Sequence, residues 1–450
     1  MRNLILPLLF FLFLSFNMNA QQETMLYGTS RIPQSFKLNP AMMPSTKLNI
    51  GIPATNMFFE VGKSKFRTQG IVTRSGDGYD VDVDALVDGF EDRNQVFMNF
   101  SSEILHGGFK LGNNYFQFNI SERIGIKADF PKELAILFRE VYEERYINQN
   151  LAVNNIRFSG YHTREFGFGY SRKINDKLNV GARLKLLYGV SNFYAESTDL
   201  YVDTQLRDEQ DEVGGNITYQ FRSSGYENYN EGNIENILYA NGNWGAGFDL
   251  GAEYKFTDRI SASASILDLG SSIRFRNDNH SYEQTNINVS LQPMDLVAFY
   301  FQNDSLSVEE QVQKFADSLQ SEVDPVENED AYTYSIPTRL FISGTFDITK
   351  KHSVTLINQN IFSEQQNISY VKAVYRGQIK NFFTGIVGYD FYNPYTKWTN
   401  LGLGFSINGG PFQFYLMTED FVSVLIRPDD QIQPNLRIGM NLTFGKNDDE

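Results

Sequence analysis

Apolar and polar residues alternate one for one over the stretch Gly245–Leu267. In its first arm every second residue is apolar, from Ala246 to Phe256, and the positions between are glycine or charged residues. After a short polar turn the alternation resumes, with serine between the apolar residues up to Ile266. A period of two is typical of a strand with one apolar face, and two such arms around a turn predict a β-hairpin. The other face is small or charged and therefore faces water or a polar lumen.

The same pattern recurs along most of the chain. It predicts further hairpins at Glu165–Tyr188, Leu340–Leu356, Asn99–Leu111 with Tyr115–Ser121, Ser369–Gln378 with Phe382–Phe391, and Trp398–Ile407 with Phe412–Met417. It predicts single strands at Lys47–Glu60, Asn216–Arg222 and Asn435–Phe444. In the hairpin of Asn99–Leu111 with Tyr115–Ser121, a loop over residues 112–115 is predicted to set Phe109 opposite Phe118.

Two segments break the alternation and predict short helices inside long loops. At Asp129–Tyr146, Asp129 can cap the helix and Pro131 lies in its first turn. At Ser307, the spacing to Glu310 is that of a capping box, and the apolar residues that follow recur at helical spacing.

Tight turns and long connections alternate between the predicted strands. The tight turns fall near residues 113, 176, 258, 350, 380 and 409. Outer-membrane barrels are built in this way, with short periplasmic turns and long outer loops. The sequence therefore predicts an all-β fold, a transmembrane antiparallel β-barrel of about 14 strands over residues 47–444, closed by Asn435–Phe444 pairing with Lys47–Glu60. A secreted β-sandwich is the alternative, but its strands would be shorter, about 5–6 residues, and its loops would not alternate in length.

The first residues predict export. Arg2 precedes the apolar run Leu4–Phe16, and Ala20 is a small residue at the end of the segment, which together indicate a signal peptide over residues 1–20. The run is shorter than the roughly 20 residues that a spanning helix needs, and an uncleaved anchor is the alternative. An exported barrel belongs in the outer membrane of a Gram-negative bacterium. Residues 21–46 then form an N-terminal periplasmic segment, and residues 445–450 form a charged tail.

Composition supports this class. Hydrophobic residues make up 41% of the 450 residues, and the mean hydropathy is −0.35, which a barrel tolerates because only alternate residues face lipid. Aromatic residues make up 14%, as expected for aromatic girdles at both membrane surfaces. The net charge of −15 excludes nucleic acid as a main partner. The absence of cysteine excludes a disulfide framework and thiol chemistry.

The segment before the first strand has three prolines and no strand alternation. Its apolar residues need burial, and the lower mouth of the barrel is the place available away from lipid. We predict that the segment packs there as a hatch through Tyr27, Pro33, Phe36, Leu38 and Pro40. A flexible tether is the alternative, because chain termini are often poorly ordered.

One acidic stretch carries the ligand offsets of a calcium-binding EF-hand loop, at Asp80, Asp82, Asp84, Asp88 and Glu91. Ala85 replaces the glycine that such a loop needs, no flanking helices are predicted, and alternating Val and Asp also predict an edge strand. The four histidines are scattered, and no catalytic or phosphate-binding motif occurs. The sequence therefore predicts no enzyme, no cofactor and no metal beyond this candidate.

Charged residues of both signs fall on the predicted inner face, at Arg183, Lys185, Asp249, Glu253 and Lys255. They line either a weakly selective polar path or a self-paired lumen. Two functions follow. The first is a channel for passive transport of a small or amphipathic solute. The second is a non-transporting scaffold or accessory barrel of a surface-secretion or gliding apparatus.

Several stretches resemble a known family: LYGTSRIPQSFKLNPA near the N-terminus, HGGFKLGNNYFQFNI at 106–120, FPKELAILF at 130–138 and KINDKLNVGARLKLLYG at 173–189. This is the Bacteroidota outer-membrane family known as domain of unknown function 5723. The resemblance implies a barrel and its compartment but carries no activity or site residue. The plan is also similar to that of FadL-like transporters and PorP/SprF-like accessory barrels. The partners this implies are outer-membrane lipid, the barrel-assembly machinery and, for an accessory barrel, a periplasmic or surface protein.

Overall fold

The computed structural model describes residues 23–64, 72–75, 78–136, 150–203, 213–225, 242–277, 279–291, 327–362, 367–380, 382–392, 401–421 and 433–446. The predicted signal peptide and the predicted helix at Ser307 lie outside these residues. Among the residues described, no helix has the length and apolar character needed to cross a membrane.

Two short helices have described bounds, a 3-10 helix at Pro33–Lys37 and helix α1 at Val83–Gly89. The strands are β1 (Thr46–Gly51), β2 (Asn56–Lys63), β3 (Val72–Ser75), β4 (Gly78–Val81), β5 (Arg93–Leu111), β6 (Asn114–Pro131), β7 (Asn150–Lys173), β8 (Leu178–Asp203), β9 (Val213–Ser224), β10 (Trp244–Lys255), β11 (Ile260–Phe275), β12 (Asn279–Leu291), β13 (Glu327–Asn328), β14 (Tyr332–Ser335), β15 (Thr338–Thr349), β16 (His352–Phe362), β17 (Asn367–Ile379), β18 (Phe383–Tyr392), β19 (Leu401–Gly409), β20 (Phe412–Thr418) and β21 (Asn435–Lys446).

The strands close into a barrel of 14 antiparallel positions. Strands β1 and β2 share one position, because both pair with β21 on one side and with β5 on the other. From β5 the ring continues through β6, β7, β8, β10 and β11. It then runs from β15 to β21 in chain order. The predicted barrel and its predicted closing pair are confirmed.

Two details of the predicted strands are wrong. Lys47–Glu60 is interrupted between β1 and β2, where Ala54 has a positive φ of 56°. In the hairpin of β5 and β6, Phe109 pairs with Phe116 and Leu111 with Asn114. The connection is a two-residue turn, which Gly112 allows with its φ of 59°. The register therefore differs from that of the predicted longer loop.

Four strands extend the wall at the end opposite the tight turns. Past residue 191, β8 pairs with β9, and β9 pairs with β12, which in turn pairs with β13. The far end of β11 pairs with β14. The strand predicted at Asn216–Arg222 is confirmed within β9. The predicted helix at Asp129–Tyr146 is helical at residues 132–136, and its remainder from residue 137 lies outside the described residues.

The two faces of the barrel wall differ as the alternation predicts. On β21, Leu436 and Phe444 are 45% and 41% exposed, while Asn441 between them is fully buried. Outward apolar residues of this kind form the lipid-facing band of a membrane barrel. Neighbouring residues of one strand can therefore be tested against each other.

Replacing Met440 by Arg is expected to impair membrane assembly. Met440 lies in the outward register of β21, and a cation near the middle of the bilayer costs ~2–4 kcal/mol. The alternation alone predicts that Asn441→Arg is much milder. The structure changes that expectation, because Asn441 bonds Gln34 and Gln413 inside the barrel.

We expect Asn441→Arg to insert into lipid vesicles at nearly the wild-type yield and to leak ions, whereas Met440→Arg inserts poorly. The measurement is the heat-modifiable folded fraction on gels, followed by ion flux. Equal insertion defects in the two variants would contradict the assigned faces.

Candidate functional site

Residues 23–45, called the N-terminal segment below, lie inside the ring of strands. Met25, Tyr27, Ile32 and Phe36 are fully buried. The segment turns at Gly28, which has a φ of 74°, and its 3-10 helix begins at a proline that suits the first helical position. It joins β1 at the tight-turn end of the barrel. At its other described end, Glu23 contacts Arg339 of β15 and Arg437 of β21, and the next two residues contact Glu419, just after β20.

One side of the segment packs on apolar side chains of the wall. These form the apolar patch, which consists of Leu267, Phe341, Ile357, Val374, Ile386, Tyr415 and Met417. Tyr27 stacks on Phe341 with ring centroids 4.9 Å apart and planes 11° from parallel. The Tyr27 hydroxyl lies 3.0 Å from the Ser263 hydroxyl and accepts a hydrogen bond from the Asn39 side chain at 3.0 Å. The tyrosine is thus held by its ring and by its polar end.

The opposite side of the segment meets polar wall residues. The Gln34 side-chain amide donates to Glu103 at 3.0 Å and to Asn441 at 2.9 Å, and Asn441 donates back at 3.0 Å. Lys37 forms an ion pair with Glu103 at 3.3 Å. The segment therefore contacts the apolar patch on one side and polar residues of β5 and β21 on the other; the side of the lumen toward these polar residues is called the polar half below.

Arg376 holds the turn of the segment near Gly28. Its guanidinium donates to the Thr29 hydroxyl at 2.9 Å, to the Tyr27 carbonyl and to the Thr355 hydroxyl of the wall at 2.8 Å. These bonds supply donors to a buried backbone carbonyl and to two buried hydroxyl oxygens.

The first described residues of the segment are bound by charges. Glu23 forms ion pairs with Arg437 and with Arg339, the latter at 2.9 Å. Glu419 accepts hydrogen bonds from the Thr24 hydroxyl and the Met25 backbone N–H, each at 2.9 Å. Burial raises the pKa of Glu23, but Arg437, Arg339 and Lys37 lower it, and the pKa as a result lies below its usual range. Glu23 is therefore a carboxylate at neutral pH.

A network of buried charges crosses the polar half of the lumen. We call the charge network the set Arg123, Glu165, Arg183, Lys185, Asp249, Asp268 and Arg339. Arg183 pairs with Glu165 and, at 2.9 Å, with Asp249. Asp268 forms ion pairs with Lys185, with Arg339 at 3.1 Å and with Arg123 at 3.3 Å. Asp268 is fully buried and contacts more cations than the other carboxylates of the network.

A bulge in β11 places Asp268 in the lumen. Ser263, Ser265 and Leu267 point inward at every second position, and Leu269 would be the next. The pairing with β10 shifts at this point, Asp268 has a φ of 58°, and Leu269 lies 40% exposed on the outside. Aspartate is one of the few residues other than glycine that adopt this left-handed conformation readily. Asp268 is not among the lumen residues predicted from the sequence. The sequence did contain a signal, because Asp268 occupies the outward, lipid-facing register of Ile266, where a carboxylate indicates a bulge.

A small cavity lies between the N-terminal segment and the charge network. Its volume is about 30 Å³, which is space for roughly two water molecules. Its lining includes the charged residues Glu23, Lys37, Arg123, Glu165, Arg183, Lys185, Arg339 and Arg437. The lumen at this level is therefore filled by protein, and what space remains is bordered mainly by cations.

The structure brings together three of the five predicted lumen residues, Arg183, Lys185 and Asp249, in the charge network. Glu253 lies nearer the tight turn, where it accepts a hydrogen bond from Asn179 at 3.0 Å. Lys255 is exposed at the end of β10. The network thus joins predicted residues to Asp268, which alternation alone does not mark, and to Arg339, which lies one residue before the predicted hairpin Leu340–Leu356.

The five predicted hatch residues, Tyr27, Pro33, Phe36, Leu38 and Pro40, are all buried. Phe36 packs on Tyr115 with ring centroids 5.4 Å apart. Glycine of β8 leaves room for Pro40, since a Cβ at Gly181 would overlap the Pro40 carbonyl. The segment also extends well beyond the lower mouth to which it was assigned, because Glu23 has its partners near the far ends of β15 and β21. Its role as a hatch stays a prediction.

The acidic stretch has another explanation in this structure. Asp82 caps α1 by accepting a hydrogen bond from the Ala85 backbone N–H at 2.9 Å. Asp80 lies in β4, and Asp84 and Asp88 lie in α1. Over the described part of the chain, no group of three or more His, Asp or Glu residues is arranged to hold a metal ion.

Comparison with known proteins finds a family. The model of the family described as "Family of unknown function (DUF5723)" matches residues 40–419. No curated protein sequence matches the chain.

The chain is also similar to solved barrel structures. The Ralstonia pickettii toluene transporter TbuX has 12% identity and a TM-score of 0.39, over 91% of this chain and 93% of that one. A Pseudomonas aeruginosa FadL homologue has 10% identity and a TM-score of 0.39, over 93% and 96%. The P. putida toluene transporter TodX has 8% identity and a TM-score of 0.34, over 95% of each. Scores of this size do not establish a common fold, so the barrel rests on the pairing of its own strands.

Proposed function

The chain belongs to the DUF5723 family, and we propose that it is a gated outer-membrane channel for a small or amphipathic solute, with the N-terminal segment as its gate. The observation that carries the proposal is that one segment fills the lumen and contacts the wall through two chemically different sides. On this proposal the protein is a channel and not an enzyme, and its outward apolar band contacts outer-membrane lipid.

The size of the ring supports a gate. Side chains alone fill the interior of a barrel of about 8 strands, and wider barrels enclose a cavity or channel unless something plugs them. The 14 positions here would leave such an opening. The N-terminal segment occupies it, and among the described residues its covalent connection to the wall is at Thr46, where β1 begins.

The two sides of the segment differ in the free-energy cost of separating them from the wall. Separating the segment from the apolar patch exposes apolar surface, which costs about 25 cal/mol per Å². Separating it from Glu103, Arg339 and Arg437 returns charges to water, and hydration offsets much of the lost attraction. A path for solute therefore opens at least cost along the polar half, while the apolar patch retains the segment.

Cross-linking the segment to the wall tests the gate. The chain has no native cysteine, so Gln34→Cys and Asn441→Cys can be joined by a short bifunctional thiol reagent across the site of their paired amide bonds. We expect conductance steps in planar lipid bilayers before the reagent and their loss after it. The matched control is Gln413→Cys with Asn441→Cys, which joins β20 to β21 and leaves the segment untethered.

In the control pair, cross-linking should leave conductance unchanged. If both pairs conduct equally after cross-linking, the segment is not the gate. If the wild-type chain is silent and a protein partner is recovered with it, the filled lumen instead belongs to an accessory barrel. That second function is favoured by the same plugged lumen and is separated from the first by this measurement.

A further inference from the structure

The cations that line the cavity outnumber the carboxylates that form ion pairs with them. Six cations line it, namely Lys37, Arg123, Arg183, Lys185, Arg339 and Arg437. In the described part of the chain, the carboxylates in ion pairs with them number five: Glu23, Glu103, Glu165, Asp249 and Asp268. Among these residues the cations exceed the carboxylates by one, and Arg183, Lys185 and Arg339 are buried, where uncompensated charge is unfavourable.

Two residues that line the cavity each have a buried N–H donor without an acceptor among the described residues. Arg183 uses its terminal nitrogens for Asp249, Asn119 and Glu165, and Arg339 uses its own for Glu23 and Asp268. The Nε–H of each is buried without a hydrogen-bond partner among the described residues. Buried donors are almost always paired. The two arginines border the same space.

We propose that this cavity binds one small monovalent anion of halide size, which accepts from the Nε–H groups of Arg183 and Arg339 and neutralises the extra charge. The volume of about 30 Å³ is sufficient for such an ion. The site stands whether or not the barrel conducts, because binding requires only the closed state described above.

Anion-dependent stability is the first test, on the full chain folded in detergent. Heat unfolding is compared in sodium chloride and in sodium gluconate at equal ionic strength, since gluconate is too large for the cavity. An ion that binds only the folded state raises the unfolding temperature steadily with its concentration. We expect such a rise with chloride and none with gluconate. The same slope in both salts would overturn the proposal, because it would reflect screening alone or water in the cavity.

Two variants should change the affinity for chloride in opposite directions. Arg339→Gln removes a donor and the extra charge, so the chloride-dependent rise should disappear. Glu165→Gln adds to the positive charge, so the unfolding temperature should begin to rise at a chloride concentration lower by about tenfold or more. Lys177→Gln changes an exposed turn residue and should behave like wild type. If Arg339→Gln does not fold, Glu165→Gln decides, and an unchanged or weaker chloride response there contradicts the site.

Crystals grown in sodium bromide locate the ion directly. An anomalous peak between Arg183 and Arg339 is the expected result. Bromide peaks confined to the outer surface would overturn the assignment of this cavity.

Discussion

Replacing Asp268 by Asn is expected to lower the free energy of unfolding by about 3–5 kcal/mol, the usual effect of removing one partner from a buried ion pair. Lys185, Arg123 and Arg339 would keep their charges and lose their common carboxylate. Asparagine has nearly the same shape and also adopts a positive φ, so the β11 bulge can persist. The substitution therefore reports on charge rather than on backbone strain. The measurement is urea unfolding of the folded barrel in detergent micelles.

Asp258→Asn provides the control for this experiment. Asp258 lies exposed in the tight turn between β10 and β11, and surface changes of this kind usually stay within about 0.5 kcal/mol. Adding Arg339→Gln to Asp268→Asn should restore part of the lost stability, because a cation then leaves with its partner. A loss below about 1 kcal/mol for Asp268→Asn would mean that water already solvates these cations, since exposed pairs contribute about that much.

The hairpins were predictable because their determinants are local. The arms of Gly245–Leu267 alternate strictly, and the turn at residues 257–259 lies between them, so pairing follows from a short stretch of chain. At the turn that contains Gly112, the sequence predicted both strands of the hairpin but not the register in which they pair. Turn type depends on the φ of single residues, which alternation does not determine.

The interior was less predictable because its determinants are distant in the chain. Prolines and apolar residues indicate that the N-terminal segment needs burial, but its depth is set by Arg339, Arg437 and Glu419, which lie far along the sequence. Asp268 shows the same limit. Only a bulge brings it inward, and the single local signal is a carboxylate at a position where its neighbours face lipid.

Deleting Tyr27–Asn39 is expected to change the barrel from one that conducts in rare steps to one that conducts continuously. The deletion removes the stack on Phe341 and the bonds to Glu103 and Asn441, which hold the two sides of the segment. The backbone pairing of the 14 positions does not involve these residues, so the wall should still form. The first measurement is the heat-modifiable folded form on gels, and the second is single-channel conductance in planar lipid bilayers.

Replacing the same residues by a Gly/Ser sequence of equal length distinguishes the effect of losing the contacts with the wall from the effect of shortening the chain. A flexible tether of that length can reach every position of the native segment but cannot reproduce its stacking, ion pairs or hydrogen bonds. We therefore expect the replacement to conduct like the deletion, because it is the contacts with the wall that hold the lumen shut. A folded barrel that stays silent in both variants would contradict the gate. Release of a periplasmic protein from that silent barrel would instead assign the segment to partner binding in an accessory barrel.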